Sequence, residues 1–318
     1  MGGFVDSNVC INIIAVMSLI ISSCIMGENI SDPKCDSPLP SHAIPVYESD
    51  VDSIQFALNL EYLEAEFFCW GSMGVGLDVL APYLVKGGPS PIGVQKANLD
   101  PLVSSIIMEF AFEELDHLRA IWSTVGGFPR PLLDLSPHNF ANIFDMAFGY
   151  NLNPPFNPYR DSLSYMLASY VIPYMGLVGY VGANPLLIGY KSKRLLAGLL
   201  GVEAGQDAVI RTYLYELKEE VVKPYNISVA EFTTRISELR NKLAACGIRD
   251  EPIIVPPQYG AYNRSETNIL SADYYSLSYA RTPAQILRVV YGTGDENCPG
   301  GFFPHGANGT IARSYLIK

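Results

Sequence analysis

Apolar residues recur at helical spacing in several long stretches of the chain. Over residues 49–73 they fall at Ile54, Ala57, Leu58, Leu60, Phe67 and Phe68, with Ser49 and Asp50 placed to cap a first helix. Gly71, Gly74 and Gly76 end or weaken it, and a Gly/Pro loop follows through Gly87, Gly88, Pro89 and Pro91. A second helix is predicted over 101–125, capped by Asp100, with Pro101 in its first turn and Gly126-Gly127 to stop it. Residues 128–159 read as a long, proline-punctuated connection with a short helix over 140–148. Two very apolar helices follow, over 162–181 and 186–222. Pro173, Gly176, Gly179 and Gly182 interrupt this apolar run, and Lys191, Lys193, Arg194 and Glu203 follow, so buried core helices are preferred to a membrane-spanning alternative. A fifth helix over 229–246 is amphipathic, and a last helical piece covers 283–291. Two helices, a long connection and two more helices describe an all-α, four-helix bundle with one crossover. It is assigned to 49–225, with a C-terminal extension of one to two helices over 226–318.

Composition supports a large buried core. Of 318 residues, 49% are hydrophobic and 17% charged, which argues against disorder over most of the chain. Net charge is −11 and no Lys/Arg run occurs, which excludes nucleic acid or an anionic membrane as the main partner. The apolar run over 9–21, followed by Ser22, Ser23, Cys24 and Gly27, reads as a secretory signal peptide over 1–27, although its first residues carry Asp6 and no Lys or Arg. An uncleaved anchor is the alternative, and the run is short for one. Residues 28–48 form a Pro- and Ser-rich arm. Four Asn-x-Ser/Thr sequons, at Asn29, Asn226, Asn263 and Asn308, agree with secretion into the extracellular space as a glycoprotein, with no membrane partner after cleavage. Cys35, Cys69, Cys246 and Cys298 remain after the leader. Cys35 and Cys298 lie in the loop-rich ends and are the favoured disulfide, and Cys69 reads as a buried thiol.

The chemistry gathers on the helices. Glu114-x-x-His117 places a carboxylate and an imidazole on one helix face, a donor set suited to iron, manganese or zinc. An ordinary charged face is the competing reading. On the first helix Glu61 and Glu64 sit one turn apart among Leu60, Phe67 and Phe68, and a carboxylate on an apolar face is costly unless paired or metal-bound. Glu66 points away and is read as solvated. The fourth helix brings Glu203 and Gln206, the latter a weak ligand or a core hydrogen-bonding amide. The third offers no acid or histidine, only tyrosines such as Tyr165, Tyr170, Tyr174 and Tyr180. The metal candidates are therefore Glu61, Glu114, His117, Glu203 and Gln206, for one iron or other divalent ion at an incomplete site, with a metal-free cluster as the alternative. Glu61, Glu64, Glu114 and His117 are the candidates for acid–base work on a small apolar metabolite.

Glu113-Glu114-Leu115-Asp116-His117 resembles the Glu-Glu-x-x-His run of the ferritin second helix, and Asn59-Leu60-Glu61 its first-helix motif. Glu203-Ala204-Gly205-Gln206 is similar to the Glu-x-Gly-His of bacterioferritin-type fourth helices, with Gln206 in place of His. Asn59 to Phe68 with Trp70-Gly71, Gly87-Gly88-Pro89, Gln95 to Asp100, His117 to Ile121, Tyr174 to Ala183, Gly201 to Arg211 and the Cys298-Pro-Gly-Gly-Phe-Phe-Pro ending resemble the plant desiccation-related proteins over roughly residues 45–310. The resemblance implies a secreted, stress-associated, ferritin-like bundle with a long crossover between its second and third helices. It leaves the activity open.

Overall fold

A computed structural model describes residues 46–247, 252–259, 266–273 and 275–316. The proposed leader, the arm up to residue 45, Asn29, Cys35 and Asn263 lie outside them.

The bundle is built from α1 (Glu48–Met73), α4 (Pro101–Val125), the broken pair α6 (Ser162–Ser169) and α7 (Pro173–Ala183), and α8 (Tyr190–Glu216). The short helices α2 (Leu77–Leu80) and α3 (Pro82–Val85) fill the first connection, and α5 (Pro137–Phe148) lies in the long crossover. A two-stranded hairpin pairs Val221–Val222 with Ile227–Ser228 antiparallel. It leads into α9 (Val229–Ala244), followed by α10 (Pro283–Val290) and α11 (Thr310–Ser314). The mostly helical bundle with one long crossover is the predicted architecture.

Local chemistry sets the boundaries. Asp100 accepts hydrogen bonds from the Leu102 and Val103 amides at 2.9 and 3.0 Å, with Pro101 at the first helical position, so α4 starts where predicted. Ser136, Asp161 and Ser228 cap α5, α6 and α9 in the same way, and Thr282 with Gln285 forms a capping box on α10. Gly74 ends α1 in the left-handed conformation, φ 77°. Gly71 stays inside α1, because any side chain there would collide with the Tyr165 ring. Tyr165 stacks on Phe67 at 4.5 Å and donates its hydroxyl to the Phe67 carbonyl at 2.6 Å.

Three predictions are corrected. Asp50 does not cap α1, whose N-cap is Tyr47 with no side-chain bond. It is fully buried and accepts from the Ile188 and Gly189 amides at 2.9 and 2.7 Å, tying the start of α8 to the start of α1. The third helix is two helices. Pro173 has no N–H and its ring displaces the backbone behind it, so the chain turns over 170–172. The Arg240 guanidinium donates to the Tyr170 carbonyl at 2.5 Å, serving an acceptor at this break. Glu66 is not solvated but fully buried. The crossover folds back to bring Arg130 against it, and the same guanidinium reaches both Asp78 carboxylate oxygens at 3.0 Å and the Pro89 carbonyl at 2.9 Å. The fourth, fifth and last helices are shorter than predicted, the crossover helix starts earlier, at Pro137, and the third-helix stretch runs on to Ala183. Asp50 holds the backbone ahead of α8, and the hairpin takes over after Glu216.

The apolar composition of α6 and α7 follows from burial: Tyr165, Met166, Leu167, Ala168, Val178 and Tyr180 are all enclosed. Helix α1 is buried on nearly every side, and its polar residues therefore need partners from several segments.

Arg130→Met leaves Glu66 buried without its cation. It is expected to lower unfolding stability by about 3–5 kcal/mol, and Arg130→Met with Glu66→Leu should recover most of the loss. Urea unfolding at pH 7 measures both; a loss under about 1 kcal/mol in the single variant would show that the pair does not hold the crossover.

Candidate metal centre

Five polar residues from three helices converge inside the bundle. Helix α1 supplies Glu61 and Glu64, α4 supplies Glu114 and His117, and α8 supplies Glu203. The i, i+3 spacing places both members of each pair on one helix face. The four glutamates are 0–1% exposed and His117 is 7% exposed. His117 Nδ1 lies 3.1 Å from Glu61 Oε2, 3.3 Å from Glu114 Oε2 and 4.0 Å from Glu203 Oε1. One donor atom from each of Glu61, Glu114, His117 and Glu203 lies within 4.8 Å of the others. Sequence reasoning named these four residues, and the fold brings them together. Glu64, read as an acid–base candidate, stands on the Glu203 side of the same cluster, where its charge raises the pKa of Glu203.

The third helix contributes what its lack of acids concealed. Tyr180 on α7 donates its hydroxyl to Glu61 Oε1. One turn earlier is Gly176, where a Cβ would stand 3.0 Å from Glu203 Oε2. An apolar helix can approach the carboxylates this closely because it offers them a phenol and a bare backbone. The signal lay in the sequence as a Gly and a Tyr four residues apart on one face, without an acid to draw attention to it. Gln206 faces the cluster by its amide nitrogen, which donates to Glu114 Oε1 at 2.7 Å and to Glu113 Oε2 at 3.0 Å. Its carbonyl oxygen is buried and meets no donor among the described residues.

Electrostatics follow from burial. Burial alone would raise Glu61, yet the His117 charge, with hydrogen bonds from His117, Glu114 and Tyr180, holds it below the ordinary value. Burial raises Glu114 to about 7, with His117 pulling against the shift and Glu61 adding to it. Burial, then repulsion from Glu114 and Glu61, lifts Glu64 far above the ordinary carboxylate range. Burial and the neighbouring Glu64, Glu114 and Glu61 do the same to Glu203. Burial would lower His117, but the Glu61 and Glu114 carboxylates push it up to about 12. Burial and the adjacent Glu61 keep the Tyr180 phenol protonated, so it acts as a donor.

A divalent cation fits this donor set. Both oxygens of Glu64, both of Glu203 and Glu114 Oε2 are buried without a hydrogen-bond donor among the described residues. Buried acceptors of this kind need a proton or a cation. Carboxylate oxygen with imidazole nitrogen suits iron, manganese or zinc. Beside Glu61, Tyr180 and Gly176 lies an apolar cavity of ≈ 20 Å³, room for a water-sized molecule.

The remaining predicted positions lie away from this centre. Asn226 is exposed in the hairpin turn at φ 57°. Asn308 is half-buried: its side-chain amide donates to the Pro129 carbonyl at 2.8 Å, and its backbone N–H donates to Asn59 Oδ1 at 2.7 Å. Cys298 is exposed and Cys69 buried.

A family model described as Ferritin-like domain matches residues 49–216. The chain is 61% identical over 306 residues to the ferritin-like catalase Nec2 of Nesocodon mauritianus, covering 96% of this chain and 98% of the relative. It is 54% identical over 262 residues to the desiccation-related protein PCC13-62 of Craterostigma plantagineum, covering 82% and 84%. No solved structure gives a significant match. The chain belongs to the desiccation-related, ferritin-like family.

The metal-free cluster should make stability depend on pH. Glu64, Glu203 and Glu114 keep protons in the fold above the 4.5 at which free carboxyls lose them, and His117 keeps its proton above 6.5. The folded state therefore binds more protons than the unfolded state as pH rises from 5 to 8. The stability these groups add at low pH is lost over that range, by about 1.4 kcal/mol per pH unit for each proton retained. Glu61 has the opposite sign and acts only below 4.5. Melting temperatures of chelator-treated protein should fall from pH 5 to pH 8. A rise over the same range would contradict protonated Glu64, Glu203 and His117 in the folded state.

Proposed function

We propose that this ferritin-like protein is a secreted plant stress protein that holds one redox-active divalent ion, iron or manganese, and disposes of hydrogen peroxide. The observation that carries the metal reading is the set of buried, donor-free carboxylate oxygens around His117 Nδ1. Glu61, Glu114, His117 and Glu203 would hold the ion. The peroxide reading is supported by the relative named a catalase, and the cavity beside Glu61, with room for a water-sized molecule, is too small for an apolar metabolite. Extracellular placement is supported by the leader-like N-terminus and the four sequons.

Peroxide disproportionation transfers two electrons and two protons from one peroxide to another, giving dioxygen and two waters. A bound iron or manganese ion would supply the electron storage. The chain supplies the rest. Glu64, which is not among the four proposed ligands and whose carboxyl burial holds far above the ordinary range, would keep a proton beside them. Tyr180 fixes the Glu61 carboxylate through Oε1 and leaves Oε2 turned to His117. The apolar walls contributed by Phe56, Leu60 and Ile286 keep the approach to Glu61 dry.

Protein purified without chelators should carry about one iron or manganese per chain by elemental analysis and release dioxygen from peroxide. Glu114→Gln with His117→Ala should lose both. Tyr180→Phe should keep the fold but weaken metal affinity or activity roughly 10–100-fold, as removal of a ligand-orienting partner does. Unchanged metal content in the double variant would sink the metal site. Metal without dioxygen release would leave the site and remove the catalase reading.

A further inference from the structure

Outside the cluster, residues of helices α4 and α8 line a shallow, open groove of ≈ 480 Å³. Its floor is apolar, formed by Ala120, Leu195, Leu199 and Val202. Buried at its inner end is His117. The Nδ1 edge of that ring faces Glu61 and Glu114, and its other nitrogen, Nε2, has no hydrogen-bond partner among the described residues. A side chain more than nine-tenths buried, with one unpaired ring nitrogen, thus lines the groove.

Lys191 and Arg194 line the same groove. Both are exposed, and among the described residues neither meets a carboxylate or any other hydrogen-bond partner. Their location is not explained by the helix that carries them. Lys191 lies in the first turn of α8 and Arg194 just after it, where the helix dipole disfavours positive charge. Nor is the groove uniformly basic: Asp116 also lines it and is tied to Arg119 at 2.5 Å. Gly198 lies on this wall, where an added Cβ would meet nothing within 4 Å. A mid-helix glycine is about 1 kcal/mol worse than alanine, and here no packing neighbour requires it.

We propose that this groove binds a small organic carboxylate, its acid group on Lys191 and Arg194 and its hydrocarbon body along Leu195 and Leu199 toward His117. An apolar floor ending in two unpaired cations fits a monoanion with a hydrocarbon body. Asp116 weighs against inorganic phosphate or a polyanion. Occupancy would cover the outer edge of His117 and so control access to the metal centre from that side. The anion site itself does not depend on the proposed metal or on peroxide chemistry.

The test is calorimetric titration of the purified protein, metal-free and metal-loaded, with benzoate as probe. Benzamide and inorganic phosphate are the comparators. Benzoate should bind saturably in both forms and at least tenfold more tightly than benzamide or phosphate. Lys191→Glu with Arg194→Glu should weaken it at least about tenfold, the scale of a lost charge-assisted hydrogen bond. Gly198→Leu, filling the groove from a position with no neighbours, should weaken it similarly without lowering the melting temperature. Lys193→Glu, on the same turn but outside the groove, should leave affinity within about twofold, since it removes no charge-assisted contact. Absence of saturation by benzoate would overturn the proposal. So would phosphate binding as tightly as benzoate, or Lys193→Glu weakening binding as much as the double variant. Saturable benzoate binding without metal retention would uphold the anion site while removing the metal reading.

Discussion

Four buried carboxyl groups and one largely buried imidazole are the constraint around which this bundle is arranged. An ionised carboxylate in such a place is destabilising by several kcal/mol unless a proton, a donor or a cation meets it. The four glutamates around His117 outnumber the single imidazolium, so pairing alone cannot satisfy them. The fold responds in several ways. Glu61 is ionised between His117 and Tyr180, whereas Glu64 and Glu203 retain protons because burial and repulsion raise them. Gln206 anchors Glu114 by its amide nitrogen. The apolar helix α7 places Gly176 and Tyr180 beside the cluster, a bare backbone and a phenol that let the carboxylates remain close together.

The same logic governs α1 beyond the site. This helix is surrounded on nearly all sides, so each polar residue on it binds a different segment of the chain. Asp50 holds the two amides before α8, Asn59 exchanges hydrogen bonds with Asn308 in the tail, and Glu66 pairs with Arg130 in the crossover. These bonds fix the connections relative to the helix that presents Glu61 and Glu64. Misplacing a carboxylate by an ångström changes which oxygens can share an ion, so these distant attachments bear on the geometry of the centre.

What the sequence disclosed depends on the range of the interaction. Helix α4 was legible from end to end because Asp100, Pro101 and Gly126 act on neighbouring backbone. Glu61, Glu114, His117 and Glu203 were legible because helical spacing and the family motifs both point to them. Asp50, Glu66 and Tyr180 were not. Their partners stand 138, 64 and 119 residues away, and nothing local distinguishes a buried acid from a solvated one. The break at Pro173 was visible as a proline in an apolar run, but the Arg240 contact at the break comes from a helix 70 residues on. The groove arises only when α4 and α8 are placed side by side, so no spacing within either helix could indicate it.

The asymmetry of the centre follows from its two departures from the ferritin pattern. A second ion would need acceptors from the third and fourth helices. At those places the chain offers Tyr180, whose hydroxyl proton is committed to Glu61, and Gln206, whose amide nitrogen is committed to Glu114. A group that donates a hydrogen bond to a carboxylate lowers the charge to be neutralised without itself binding a cation through that atom. Replacing an acid and an imidazole by a phenol and an amide therefore acts twice. It removes ligands on one side, and it orients the remaining carboxylates toward His117 on the other. The half of the cluster that looked like a loss in the sequence becomes the scaffold that gathers Glu61, Glu114 and Glu203 about His117, and His117 also lines the groove outside.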